Sequence, residues 1–326
     1  MTIIIQQLFV LYIFLFGGWL LGTWKKEQIS HTSILSFLLV NCFMPCKVFR
    51  SFSKNFTVNY IQSNYSSILI SLGLLVILVV LAKYLSRLLT KDAYEQRIFQ
   101  YSIPIANYAY LGYVLVENIW GEHALTDMIL FCIPFALYTY SFGYALLTGS
   151  ESSYKKMLNP IIIGILLGMI CGLLGVKMPV VIDEVTATAS ACVGPISMIM
   201  TGMTLASFPV KELLTEKKAY IFSGLRLIAA PLFVFVTCKL FGFTEVVVPA
   251  TIMASMPCGL NTIVFPKLVG QDCTLGAKMA FVSHLFSMLT LPIWLLIFDV
   301  IRRESSKWGY NSFELYLFFA FTKKQM

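Results

Sequence analysis

Ten apolar segments of about 20 residues follow one another along the chain, and only short polar joints separate them. A helix of that length and composition can cross the hydrocarbon part of a bilayer. The chain is 58% hydrophobic and only 12% charged, so a soluble fold could not cover its apolar side chains. The sequence therefore predicts an all-α polytopic membrane protein surrounded by lipid. The ten predicted spans are 4–22, 29–50, 66–89, 97–118, 123–148, 158–175, 185–207, 219–240, 246–266 and 275–301.

The basic residues lie in the joints between spans, so the net charge of +8 does not indicate a nucleic-acid partner. Joints after the odd-numbered spans carry thirteen Lys and Arg residues, whereas joints after the even-numbered spans carry five. The positive-inside rule then predicts a multi-pass protein of the cytoplasmic membrane with both termini outside. Five further basic residues in the segment 302–326 favour the opposite orientation and narrow the difference to thirteen against ten.

Prolines recur at matching places in the two halves of the chain, at offsets of 150, 153 and 158 residues. This spacing predicts two five-span repeats, 1–148 and 158–301, joined by a linker at 149–157 and followed by a tail at 302–326. Because five is an odd number, the second repeat would enter the membrane from the opposite side, as in many secondary transporters. The matching prolines are Pro45, Pro104 and Pro134 in the first half and Pro195, Pro257 and Pro292 in the second.

Two of these prolines stand close to asparagines inside apolar spans. The stretch SIPIANYAYLG contains Pro104 and Asn107, and the stretch SMPCGLNTIVFP contains Pro257 and Asn261. Proline removes a backbone donor and breaks the helix, and a freed carbonyl in lipid must find another partner. Spans 4 and 9 are therefore predicted to be broken, with positive half-helix ends that suit an anionic ligand.

Polar residues around these breaks are the candidate substrate-binding residues. An asparagine side chain can bond to a ligand, or it can tie a kinked helix to its neighbour for about 1 kcal/mol. Both interpretations stay open for each asparagine. The candidates are Asn107 and Tyr108 in span 4, Gly259, Asn261 and Thr262 in span 9, and Asn41 one turn before Pro45 in span 2.

Other ionisable residues near the spans have simpler interpretations. Arg226 in span 8 is expected to extend its long side chain to the cytoplasmic interface, with a role as counter-charge to an anion as the alternative. His284 in span 10 is a candidate for proton coupling, although a neutral, hydrogen-bonded histidine is the more common case. Glu117, Glu122 and Asp127 near the joint after span 4 are expected to stay solvated.

No enzyme motif is found in the sequence. A GxxxxGK[ST] phosphate loop, an HExxH motif and a GxSxG motif are all missing, so no catalytic residues are predicted. The eight cysteines lie mostly in apolar runs and show no CxxC spacing, which is typical of core residues rather than a metal site. No cofactor is therefore expected.

The chain resembles the auxin efflux carrier family, the membrane transport proteins that include plant PIN auxin carriers and bacterial carriers of malate or malonate. The resemblance extends from about residue 4 to 301. Span 3 lacks the acidic residue that some plant members have, and the tail at 302–326 extends past the usual end of the family. The stretches that carry the resemblance include IPIANYAYLG, NPIIIGILLGMICGLLGV, ACVGPISMIMTGMTLAS and MASMPCGLNTIVFP.

This resemblance implies ten spans in two inverted repeats, with spans 4 and 9 broken at Pro104 and Pro257 and crossing at the centre. Spans 1, 2, 6 and 7 would form a scaffold, and spans 3–5 and 8–10 a moving transport domain. Asn107 and Asn261 match polar residues that face the substrate in the family. A homodimer formed through the scaffold helices is a further expectation.

The expected function is secondary transport of a small organic anion, such as malate, malonate or an auxin-like acid, by elevator-type alternating access. One alternative is a membrane receptor or binding protein that uses the same fold without net transport. Another is a carrier that resembles the bile-acid–sodium symporters, but the scarcity of acidic residues in the spans disfavours it.

Overall fold

The computed structural model describes residues 2–24, 32–150 and 158–307, and within these ranges the chain forms helices and loops without a β-strand. Four short π-helical turns interrupt the helices there, at Leu39–Phe43, Tyr108–Gly112, Thr139–Gly143 and Leu225–Ala229. The α-helices are α1 (Thr2–Trp24), α2 (Thr32–Leu38), α3 (Met44–Asn55), α4 (Val58–Leu89), α5 (Ala93–Ser102), α6 (Tyr113–Trp120), α7 (Glu122–Tyr138), α8 (Tyr144–Thr148), α9 (Pro160–Leu173), α10 (Val180–Ala206), α11 (Val210–Leu213), α12 (Lys217–Gly224), α13 (Ala230–Leu240), α14 (Val247–Ser255), α15 (Asn261–Leu268) and α16 (Thr274–Lys307).

Seven helical stretches of the described chain are long and apolar enough to cross a membrane. The prediction of an all-helical, multi-pass membrane protein is therefore confirmed. The three other predicted spans, 97–118, 158–175 and 246–266, contain shorter or interrupted helices. The seven stretches are Ile3–Trp24, Thr32–Asn55, Val58–Leu89, Glu122–Thr148, Val180–Ala206, Lys217–Leu240 and Thr274–Asp299.

Several helices extend past the predicted span ends. The second stretch continues to Asn55 rather than 50, and α4 begins eight residues early because the Thr57 hydroxyl accepts a hydrogen bond from the backbone N–H of Tyr60. The last helix reaches Lys307, past the predicted end at 301. The rest of the predicted tail and residues 151–157 of the predicted linker lie outside the described residues.

Glycines bring two pairs of helices into close contact. A Cβ atom added at Gly18 of α1 would overlap the backbone of Ile199 in α10, and one at Gly202 would overlap the backbone of Leu15. Helix α9 packs against α3 in the same way, through a stripe of three glycines spaced four residues apart. Small residues of this kind allow close helix packing in membranes, where no hydrophobic effect drives helices together. The stripe is Gly164, Gly168 and Gly172.

Polar contacts between the joints show that the joints lie in two groups, one at each end of the bundle. At one end, Lys218 Nζ lies 2.5 Å from Glu95 Oε2, and the Gln271 amide donates to the carbonyl of Thr148 at 3.1 Å. Glu95, Lys218 and Gln271 follow predicted spans 3, 7 and 9, and Thr148 is the last residue of predicted span 5. At the other end, Arg50 pairs with Asp183, near the joints after spans 2 and 6. The grouping agrees with a chain that crosses back and forth, and which end faces the cytoplasm stays a prediction.

The acidic residues after span 4 are partly buried and paired, so the prediction that they stay solvated is wrong. Glu117 binds the buried ammonium of Lys47, and Glu122 Oε1 lies 3.2 Å from Arg50 Nε. Asp127 accepts a hydrogen bond of 2.7 Å from the hydroxyl of Tyr60. These partners come from α3 and α4. The pairing therefore depends on how distant helices pack together, which the residues around the acidic side chains do not reveal.

Candidate functional site

The two broken helices bind each other through their backbones. Helix α5 ends at Ser102, and α14 ends at Ser255, and the non-helical segments that follow are 103–107 and 256–260. The N–H of Asn107 donates to the carbonyl of Pro257 at 2.8 Å, and Ala106 pairs with Cys258 in an isolated antiparallel bridge. Each break thus satisfies backbone groups of the other, as the interior of a membrane requires.

Small polar side chains support the second break. The hydroxyl of Ser283 in α16 accepts a hydrogen bond of 3.0 Å from the N–H of Cys258. The Thr262 hydroxyl donates to the carbonyl of Gly259 at 2.9 Å. A Cβ atom on Gly259 would lie 3.4 Å from the carbonyl oxygen of Ala106, which is an ordinary van der Waals contact, so Gly259 packs directly against the first break. Sequence reasoning missed Ser283, which directly precedes the predicted residue His284 in α16.

The side chain of Arg226 lies between the two breaks and does not reach the membrane surface. The expectation that it extends to the cytoplasmic interface is therefore wrong. The residue is only 2% exposed. Its Nε donates to the carbonyl of Met256 at 3.1 Å, Nη1 to that of Ile103 at 2.5 Å, and Nη2 to that of Met253 at 3.2 Å. Carbonyls at the ends of the two broken helices supply these partners inside the bundle.

A cavity of about 600 Å³ lies beside the second break. Its walls come from α2 and the following π-helical turn on one side and from α15 on another, with aromatic residues between them. Lys267 is the sole charged residue in this lining among the described residues. The polar and aromatic lining residues are Thr32, Ser33, Ser36, Phe37, Asn41, Tyr110, Tyr140, Thr204, Asn261, Phe265 and Lys267.

Two predicted site residues line this cavity. Asn261 begins α15, and its amide nitrogen donates to the hydroxyl of Tyr101 at 3.0 Å. Asn41 lies across the cavity on the π-helical turn, and its amide nitrogen donates to the carbonyl of Phe37 at 2.8 Å. Both side chains therefore have fixed amide groups at a space large enough for a small molecule.

The other predicted residues are buried outside the cavity lining. The Asn107 amide nitrogen lies 3.1 Å from His284 Nε2, and His284 Nδ1 lies 2.8 Å from the carbonyl of Ala280. Because a carbonyl accepts, Nδ1 carries the proton, and Nε2 of the neutral ring accepts from Asn107. Tyr108 packs against Tyr113, with ring centroids 5.8 Å apart. The roles of Asn107, Tyr108, Gly259, Thr262 and His284 in binding or coupling stay predictions.

A cluster of aromatic rings lies beside Asn261, and two of them, Tyr140 and Phe265, line the cavity. Tyr101, Tyr140 and Tyr144 surround Phe265, with centroid separations of 6.4, 6.2 and 5.1 Å. Tyr140 belongs to a π-helical turn that sequence reasoning did not predict. Within the described residues, no cluster of His, Cys, Asp or Glu side chains is arranged to hold a metal ion.

A bundle of membrane-length helices, two broken helices bound to each other and a cavity beside them are typical of a membrane transport protein. A family model described as membrane transport protein matches residues 2–157 and 151–295. The chain belongs to this family, which is the auxin efflux carrier family and confirms the resemblance noted in the sequence.

Two archaeal proteins, both described as uncharacterized transporters, are similar to the chain. The protein of Methanothermobacter thermautotrophicus is 26% identical over 197 residues, which are 59% of this chain and 64% of that protein. The chain thus spans slightly less than two thirds of this relative. The protein of Methanocaldococcus jannaschii is 26% identical over 307 residues, which are 88% of this chain and 96% of that protein.

Proposed function

We propose that the protein is a secondary carrier of a small organic anion, a carboxylate such as malate, malonate or an auxin-like acid, in the cytoplasmic membrane. The observation that carries this proposal is the cavity beside the second helix break. Asn261 and Asn41 present amide groups to it, and the one charge among its described lining residues is the cation of Lys267. A carboxylate can accept from amide N–H groups and pair with an ammonium group.

The arrangement of the walls supports alternating access. Helices α1, α3, α9 and α10 pack closely through glycines and belong to predicted spans 1, 2, 6 and 7, the proposed scaffold. The cavity lies between this group and α15, which belongs to the proposed transport domain of spans 3–5 and 8–10. Movement of α15 past a rigid scaffold would carry the cavity across the membrane. The inverted repeats and a homodimer through the scaffold are parts of the same proposal.

Counterflow in proteoliposomes tests the function directly. Malate, malonate and indole-3-acetate are first screened for an increase in the melting temperature of the purified protein. Vesicles loaded with the stabilising acid should then accumulate the labelled acid transiently against its gradient. Binding without counterflow would show a receptor instead, and neither binding nor counterflow with any carboxylate would contradict the proposed substrate class.

The variants Pro104→Ala and Pro257→Ala should fold but lose counterflow. Alanine favours a continuous helix by about 3 kcal/mol relative to proline, which would close the break and redirect the half-helix ends. We expect counterflow to fall roughly tenfold or more. The matched control is Pro160→Ala, since Pro160 occupies the first turn of α9, where proline leaves no helix bond missing. Equal counterflow in all three variants would show that the breaks are not needed.

Orientation is tested with a pair of exposed loop residues at opposite ends of the bundle. The variants Thr215→Cys and Lys177→Cys are each made in a background without other cysteines. The charge distribution predicts that an impermeant maleimide labels residue 177 in intact cells and residue 215 only after the membrane is opened. The reverse labelling pattern would place the termini in the cytoplasm.

A further inference from the structure

Arg226 holds a positive charge inside the bundle without a carboxylate partner in the part of the chain that the structure describes. The six ion pairs found there do not include it. Its side chain is among the largest that are fully buried. A buried charge without compensation is strongly unfavourable. The compensation must therefore come from the three carbonyl groups that its guanidinium binds.

Two of these carbonyls share one structural position, and the third lies one turn earlier in the chain. Ile103 directly precedes Pro104, and Met256 directly precedes Pro257. The third carbonyl, of Met253, lies in the last turn of α14. The carboxyl end of a helix carries a partial negative charge, and its last carbonyls lack intrahelical donors. Two negative helix ends, one from each half of the chain, thus converge on a single guanidinium.

Carbonyl groups at unwound helix ends are the kind of site that holds a coupling cation in transporters with broken helices. We propose that Arg226 is a permanent internal cation of this protein. Its guanidinium takes the position between the two breaks that a bound monovalent cation would otherwise fill, so the breaks join without an inorganic ion. Arg226 does not line the substrate cavity, and it is therefore a positioning residue that acts through the breaks.

The surroundings fit a cation that stays in place. Nε, Nη1 and Nη2 each bind a different carbonyl, so the planar guanidinium distributes its charge over three separate acceptors. On its other side Arg226 lines a second cavity of about 190 Å³, whose remaining walls are apolar. Removal of the side chain would enlarge this cavity enough to admit a free guanidinium ion.

Chemical rescue of Arg226→Ala tests this assignment without any substrate. We expect the melting temperature of the purified variant to fall by roughly 5–10 °C, because a buried network loses its central charge. Guanidinium chloride at millimolar concentration should restore part of this loss, whereas tetramethylammonium chloride at the same ionic strength should not. The wild-type protein should melt at the same temperature in sodium, potassium and choline chloride.

The matched control is Ser283→Ala, which removes the hydrogen bond to Cys258 at the same break but leaves no space for a cation. Guanidinium should not restore its stability. Rescue of both variants, or of neither, would overturn the proposal. A wild-type protein that requires sodium for stability would also overturn it.

A second pair of variants keeps the proposal testable if Arg226→Ala does not fold. Arg226→Lys retains the charge, and Arg226→Met retains a similar length without it. We expect the lysine variant to yield folded protein and to melt well above the methionine variant. Equal behaviour of the two would mean that the side chain only fills space. Because every readout is thermal stability, failure here is distinct from failure of the transport proposal.

Discussion

Replacement of Gly202 by leucine is expected to leave little folded protein in the membrane. A Cβ atom at this position would already overlap the backbone of Leu15, and it would come close to the backbone nitrogen of Trp19. A backbone cannot rotate away as a flexible side chain can, so α1 and α10 would have to separate. We expect a loss of roughly 3 kcal/mol or more of stability. The yield of monodisperse protein after detergent extraction, together with its melting temperature, measures this effect.

The same substitution at Gly73 supplies the matched control. Gly73 lies within α4, and an added Cβ atom there would meet nothing within 4 Å. Leucine also has a higher helix propensity than glycine. Gly73→Leu should therefore give wild-type yield, and equal yields for the two variants would show that the α1–α10 contact tolerates separation.

Replacement of Asn261 by leucine is expected to weaken binding of the transported acid about ten- to a hundredfold, since a hydrogen bond to a charged group is worth roughly 1.5–3 kcal/mol. Isothermal titration with the acid that passes the counterflow test measures this change. The variant also loses the bond to the Tyr101 hydroxyl, which lowers stability modestly. Tyr101→Phe removes that bond from the other side without changing the cavity lining, so it should bind nearly normally.

Asn107→Leu should behave differently from Asn261→Leu. Asn107 lies outside the cavity lining, and its loss would leave Nε2 of the buried His284 without its donor. We expect a lower melting temperature with a smaller change in affinity. Both asparagine variants could instead bind the acid normally while melting at a much lower temperature. Both residues would then only stabilise the helix packing, and the substrate-binding site would lie elsewhere.

The helix breaks were predictable because their cause is local. Pro104 and Pro257 remove backbone donors whatever the rest of the chain does, and their positions in apolar spans indicated where helices would end. The different surroundings of the two asparagines were not predictable in this way. Asn107 closes the first break and faces α16, whereas Asn261 opens α15 and faces the cavity. That difference depends on how each helix is rotated in the bundle.

Long-range partners explain the other failures. The Lys47–Glu117 pair joins residues 70 positions apart, and the contact between Arg226 and Ile103 joins residues 123 positions apart. A lone arginine in an apolar span has the same local sequence whether it reaches the interface or binds carbonyls inside the bundle. Only the packing of the π-helical turn Leu225–Ala229 against both breaks distinguishes these cases.

The hydrogen bond from the N–H of Asn107 to the carbonyl of Pro257 has a consequence for the evolution of the sequence. It joins segments 103–107 and 256–260, which are distant in the sequence. A change in the backbone of one break therefore affects the other. A substitution that lengthens one break would be viable only with a compensating change in the other. The two stretches are therefore expected to vary together as a matched pair, although about 150 residues of chain separate them.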